Sequence, residues 1–128
     1  MIIVNLKDRL GNQMFQYALG YVLAKRNNSQ LCLDLRKLNE EPKNPPKNWV
    51  TRTYDLDIFG IIPKKPKFID LLKTFQFNKR YTIRFHIADF LDRLGYITIL
   101  DKTRRFDPRI LKRKEKTLYL DGYWQTEK

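Results

Sequence analysis

Ile2-Ile3-Val4-Asn5-Leu6 opens the chain as a β-branched apolar run, followed by a glycine-containing turn and a periodic apolar segment. Strand, loop and helix in that order predict a βα unit. From Gln13 on, Phe15, Ala18, Leu19 and Val22 fall at i, i+3, i+4 and i+7, one face of a helix. Met14, Tyr17, Tyr21 and Leu23 widen that face nearly all round, which predicts a well-buried helix. Gly11 stands where the chain leaves the loop, and glycine tolerates backbone angles that other residues avoid. Asn12 is placed to cap, its carboxamide oxygen accepting from an unpaired first-turn N–H. A helix N-terminus just past a strand's carboxyl end is also where open α/β sheets hold anionic ligands.

Turn-prone Arg26-Asn27-Asn28-Ser29 ends this helix, and Leu31 to Leu35 predicts a second strand with Asp34 near its carboxyl end. Glu40 to Trp49 carries Pro42, Pro45 and Pro46 and reads as a loop. Tyr54, Leu56, Ile58 and Phe59 are expected to anchor its return to the core. Pro63 to Pro66 is a stiff basic linker, with Pro66 suited to a first helical position. Phe68, Leu71, Leu72 and Phe75 then repeat at helical spacing. A second stripe follows in Ile83, Ile87, Phe90, Leu91 and Leu94, closed by Gly95 as a C-cap, with His86 on its polar face. Ile97 to Leu100 predicts a third strand. Asp107 and Pro108 predict a cap and a first helical position. Leu118 to Leu120 is a further strand, and Gly122 at its end allows close backbone approach.

Composition narrows the classes. The chain has 128 residues, the length of one small domain, and 42% of them are hydrophobic, enough for a core and far from a disordered signature. No run near 18 apolar residues and no basic leader with an apolar core predicts a span or a secretory signal. The single cysteine, Cys32, excludes an internal disulfide and is expected to be buried and inert. With one histidine and one cysteine, a His/Cys zinc site has no basis. Asp34 matches the position of a ribose-holding acid in dinucleotide folds, but the first turn lacks Gly-x-Gly-x-x-Gly, so nicotinamide binding is rejected. The net charge of +12 fits nucleic acid, an anionic membrane, or a nucleotide and phosphorylated glycolipid.

Leu10-Gly11-Asn12-Gln13-Met14-Phe15-Gln16-Tyr17-Ala18, with the strand before it, resembles the opening of the family 11 glycosyltransferases, the α-1,2-fucosyltransferases. Three further stretches resemble that family in the same order. They are Tyr54-Asp55-Leu56-Asp57-Ile58-Phe59, Phe106-Asp107-Pro108-Arg109-Ile110-Leu111, and Asp121-Gly122-Tyr123-Trp124-Gln125-Thr126-Glu127-Lys128. Thr103-Arg104-Arg105-Phe106-Asp107 superficially matches the family's paired-arginine segment. It lacks the flanking histidine and glycine and comes too early, so it is read as coincidence. Asp8 and Arg9 stand where the family has two glycines, and positive φ is costly for both. Related protein O-fucosyltransferases have Gly-Arg-Phe-Gly-Asn-Gln there, a precedent for Arg9. An acid at Asp8 would repel a diphosphate, which counts against full activity.

The resemblance implies an α/β fold with a parallel, three-layer, Rossmann-like sheet of at least four strands. It would be the N-terminal, acceptor-side half of a two-domain GT-B type enzyme. Residues 1–128 would then be an N-terminal fragment or truncated product whose donor-binding C-terminal domain is absent, expected neither to hydrolyse nor to transfer from GDP-fucose. The implied reaction is inverting transfer of L-fucose from GDP-fucose to the 2-hydroxyl of a galactose-terminated glycan, with no metal or other cofactor. Arg9, Gly11, Asn12, Gln13, Tyr123, Trp124 and Gln125 are the implied substrate-binding residues, Asn12 also lying at the reaction centre in the O-fucosyltransferases. Tyr123 and Trp124 suit stacking on a sugar or a purely structural role. Animal members carry an N-terminal anchor; its absence here implies a bacterial-type cytoplasmic enzyme, peripheral to the anionic inner face of a membrane through its basic surface. The rival readings are a basic nucleic-acid-binding domain and a non-catalytic remnant, and no specific nucleic acid is expected.

Overall fold

The computed structural model describes residues 1–40, 43–74, 93–100 and 106–125. Four short strands, β1 (Ile2–Asn5), β2 (Leu31–Asp34), β3 (Tyr96–Leu100) and β4 (Thr117–Asp121), form one parallel sheet in the order β2-β1-β4-β3. Ile2 pairs with Leu31 on one side and Leu118 on the other, which places β1 in the interior of the sheet. The expected α/β class and parallel sheet are therefore observed. Interior parallel strands are covered on both faces, and β1 is accordingly a continuous buried run rather than an alternating one.

Alternate residues divide the core. Ile2, Val4, Leu33, Leu118 and Leu120 face helix α1 (Leu10–Arg26) and the 3₁₀ turns at Leu56–Phe59 and Pro108–Lys112. Ile3, Cys32 and Tyr119 face the short helix α2 (Phe68–Thr74) through Leu71. The topology accounts for this split. The steps from β1 to β2 and from β3 to β4 run in the same direction across the sheet, so right-handed crossovers put them on one face. The return from β2 to β3 runs the opposite way, with α2 on the other face. No helix among the described residues is long and apolar enough to cross a membrane.

Helix α1 lies where the periodicity predicts it but presents a different face. Its buried residues are Gln13, Gln16, Leu19, Gly20, Leu23 and Ala24, while Met14, Phe15, Tyr21 and Val22 are exposed. The expected stripe through Phe15, Ala18 and Val22 is thus rotated outward, and the helix is not buried all round. The inner face must fit tightly against β1, and bulk decides it. A Cβ at Gly20 would overlap the Val4 Cγ2 methyl and lie 3.0 Å from Leu31 Cδ1, so only glycine lets the helix axis come this close.

Several local expectations hold. Gly95 takes the left-handed φ of +78° that favours glycine, while most of the stripe it is expected to close lies outside the described residues. Asp107 Oδ1 accepts from the Arg109 N–H and caps the turn that opens at Pro108, a 3₁₀ rather than an α turn. Cys32 is buried, and burial pushes its thiol pKa up, leaving it protonated and inert. Others are corrected. Tyr54 and Leu56 anchor the loop's return, with Tyr54 Oη donating to the Ile61 carbonyl at 2.9 Å, but Ile58 and Phe59 face solvent. Helix α2 begins at Phe68, two residues after Pro66, and of its expected stripe Leu71 is buried while Phe68 and Leu72 are exposed. Phe75, Ile83, His86, Ile87, Phe90, Leu91 and Arg104-Arg105 lie outside the described residues.

Candidate functional site

Two loops leave the carboxyl edge of the sheet side by side, one after β1 and one after β4, because β1 and β4 are paired neighbours. Between them lies a cavity of ≈ 380 Å³ lined by Asp8, Arg9, Asn12, Arg52, Tyr123 and Gln125. The carboxyl edge is where open α/β sheets place ligands. Four of the seven residues singled out from the sequence, Arg9, Asn12, Tyr123 and Gln125, thus meet at one wall although more than a hundred positions separate the two pairs.

Asn12 does not cap the helix. Helix α1 starts at Leu10 behind Arg9, with no side-chain cap, so Asn12 sits inside the first turn. Its Oδ1 accepts instead from Gln125 Nε2, a bond that joins the first loop to the last. The first turn carries no acidic residue, and its unpaired N–H groups have no side-chain acceptor among the described residues. Asn12 Nδ2 makes no hydrogen bond among the described residues, which leaves two donors at the cavity wall.

Gln13 and Gly11 occupy different places. Gln13 is 0% exposed, its Nε2 donating to the Asp8 and Thr53 carbonyls at 2.9 and 2.7 Å and its Oε1 accepting from the Asp55 N–H at 3.0 Å. It therefore stitches the first loop to the chain returning from the proline-rich loop, behind the cavity rather than in it. Gly11 lies in the helical first turn without positive φ, and a Cβ there would meet nothing within 4 Å. Neither backbone nor packing within the described residues demands a glycine, so the open space above it faces outward.

Trp124 turns inward. It is 5% exposed and packs in the main core, so the stacking face at the cavity is that of Tyr123 alone. Trp124 takes φ +57°, a strained value for a bulky residue, and its Nε1 is buried without an acceptor among the described residues. Lys7 ties the end of β4 to this loop, its Nζ 2.6 Å from Asp121 Oδ1 and 4.9 Å from the centre of the Tyr123 ring.

Arg52 is the residue that sequence reasoning missed. It reaches the cavity from the proline-rich loop, stacked on Trp49 at 5.0 Å, with a terminal guanidinium nitrogen donating to the Val50 carbonyl at 2.7 Å and Nε 3.8 Å from Asp8 Oδ1 without a hydrogen-bond acceptor among the described residues. No spacing or motif marks it, because it arrives by loop return. Its guanidinium offsets the charge of Asp8, so the cavity carries two arginines against one acid and is net positive. Asp8 also takes the left-handed φ of +64° that the sequence reading held to be costly for it. Replacing it should relieve that strain: Asp8→Gly is expected to raise stability by up to about 1 kcal/mol, while Asp8→Val should lower it by at least as much. Thermal unfolding of both variants checks this; equal melting temperatures would remove the strain argument.

Asp34, at the end of β2, is structural in its bonding. Burial would raise its pKa, but hydrogen bonds from Arg36 and from Tyr119 Oη outweigh it and hold the carboxyl below its ordinary range. Burial and the neighbouring carboxylate push Tyr119 up, so its phenol stays protonated. Among the described residues no group of three or more His, Cys, Asp or Glu side chains could hold a metal ion.

No family model matches the chain, and no solved structure matches it. Over 36 residues it is 53% identical to the alpha-1,2-colitosyltransferase of Escherichia coli. That stretch is 28% of this chain and 12% of the relative, so the match spans about an eighth of the relative's length. Over that stretch, the chain is similar to a glycosyltransferase.

Proposed function

We propose that the chain is the acceptor-side α/β part of an inverting glycosyltransferase, moving L-fucose from GDP-fucose to the 2-hydroxyl of a terminal galactose. The observation that carries this reading is the Asn12–Gln125 hydrogen bond, which brings the first and last family-like motifs to one cavity. The partial similarity to a glycosyltransferase supports the reaction class. In an inverting transfer the acceptor hydroxyl attacks the anomeric carbon from the side opposite the leaving diphosphate, the bond to the diphosphate oxygen breaks, and the hydroxyl proton passes to a general base. Asn12 Nδ2 donates to the acceptor oxygen and fixes its approach, and Tyr123 stacks on the sugar's apolar face. Arg9, Arg52 and the uncapped first turn of α1 supply positive potential where charge grows on the departing diphosphate. The open space over Gly11 admits the sugar ring close to the helix backbone. The net charge of +12 brings the protein to an anionic membrane surface bearing the acceptor, by an attraction that salt weakens.

A ¹H–¹⁵N NMR titration with a galactose-terminated disaccharide tests the acceptor assignment. The disaccharide is expected to bind, to shift the side-chain amide signals of Asn12 and Gln125, and to lose affinity in Asn12→Ala. Binding that leaves both amides unmoved, or no binding, overturns the assignment.

A further inference from the structure

A second cavity, of ≈ 350 Å³, opens on the α2 side of the same sheet edge, and the function proposed above does not use it. Its walls include the last residue of every strand, Asn5, Asp34, Leu100 and Asp121, together with Tyr119 and Leu71. The pleat explains the grouping. Asn5 is two residues after Ile3, and Asp34 and Asp121 are two after Cys32 and Tyr119, all on the face that packs against Leu71. The cavity lined by Arg9 and Asn12 lies beyond the opposite face, where α1 begins.

The distinguishing feature is Asn5. It is 2% exposed, lines the cavity, and its buried Oδ1 has no hydrogen-bond partner among the described residues. An unpaired buried acceptor is destabilising, and an apolar residue in this β-strand would avoid that cost. The remaining polar groups are already matched to one another. Asp34 is held by Arg36 at 2.6 Å and by Tyr119 at 2.8 Å, Glu40 pairs with Lys37 at 2.8 Å, and Asp121 pairs with Lys7 at 2.6 Å. Each carboxylate has its cation, so the cavity offers no surplus charge to an ion. It offers one unmet acceptor, further lone pairs on Asp121, and an apolar wall from Leu71 and Leu100.

We infer that this cavity is a second ligand site, for a neutral polyhydroxylated ring such as a single sugar residue. A ring of that kind presents hydroxyl donors on its edge and an apolar face, the pattern these walls complement. A hydroxyl both donates and accepts, so it satisfies the Asn5 carboxamide in either orientation of the amide. A nucleotide does not fit as well, because its phosphates would meet no unpaired cation among the described lining residues and Asp34, the natural ribose partner, has both oxygens occupied. The inference stands on this cavity alone and does not need fucosyl transfer to be correct.

The test is a set of ¹H–¹⁵N NMR titrations of the protein with galactose, glucose and mannose, and with glucuronate and glucosamine as charged counterparts. At least one neutral sugar is expected to shift the Asn5 side-chain amide signals and to bind more tightly than both charged analogues. Asn5→Leu, which fills the same space without the unmet acceptor, should fold at least as well and weaken that binding at least tenfold. Asn5→Ala, which also removes the acceptor, provides the same comparison should the leucine disturb the sheet. Asn12→Ala should leave the Asn5 shifts intact, since it alters the other cavity. No shift at Asn5, preference for a charged analogue, or loss of the Asn5 response in Asn12→Ala overturns the inference.

Discussion

Gly20→Ala is expected to lower stability by about 2–3 kcal/mol, a fall in melting temperature of roughly 10 °C for a chain of this size. Helix propensity alone predicts the opposite sign, since alanine in place of a helical glycine gains about 0.5–1 kcal/mol. Packing wins because the added methyl would overlap Val4 Cγ2 and crowd Leu31 Cδ1, and both side chains sit on strands that cannot retreat. Gly11→Ala in the same helix is the control. Nothing lies within 4 Å of its added methyl, so it should be neutral or stabilising by about 0.5 kcal/mol. Trimming the facing side chain in Val4→Ala/Gly20→Ala should recover part of the loss, a coupling that a double-mutant cycle measures. A Gly20→Ala protein as stable as the parent would mean that α1 does not rest on β1 at this distance.

The second large effect concerns rate rather than stability, and is expected in an enzyme that contains this chain together with its donor site. Asn12→Asp should fold as well as the parent. A carboxylate still accepts from Gln125, and negative charge in the first turn of a helix is favourable. It removes both Nδ2 donors, so turnover should fall roughly 10²-fold or more, because a slightly misplaced acceptor is costly in rate. Asn12→Ala should lose about 1 kcal/mol through the broken Gln125 bond as well as turnover. Gln125→Ala should lose the same bond, with a smaller loss of turnover, since Asn12 is then loosened rather than removed. Melting temperature and turnover measured on the same three variants separate the roles. A stable Asn12→Asp enzyme turning over at the parent rate would reduce Asn12 to a tether between two loops.

What lies within a few residues of itself was legible in the sequence. The four strands announce themselves as short β-branched or apolar runs, and parallel pairing follows from a helix between the first two. Gly95 and the Asp107–Pro108 pair carry their own backbone preferences, so their turns were readable without a partner. The resemblance of both chain ends to one family also named four residues that the fold then gathers at one cavity.

Three things were decided only by tertiary structure. The inward face of α1 follows Gly20 and two glutamines rather than the larger apolar side chains. Contact with β1 demands the smallest residue there, and Gln13 can be buried because backbone groups of two loops satisfy its carboxamide, whereas Gln16 has its Oε1 matched by the Lys7 N–H and its Nε2 without a partner among the described residues. Asn12 reads locally as a cap, but the helix begins two residues earlier and its side chain meets Gln125, a partner 113 positions away that no local pattern names. Arg52 and Asn5 had no signal at all. One reaches its cavity by the return of an irregular loop, and the other is a polar residue at the end of a buried strand. Periodicity records how each element prefers to sit, whereas the meeting of loop ends depends on strand order, and only the folded sheet sets β1 beside β4.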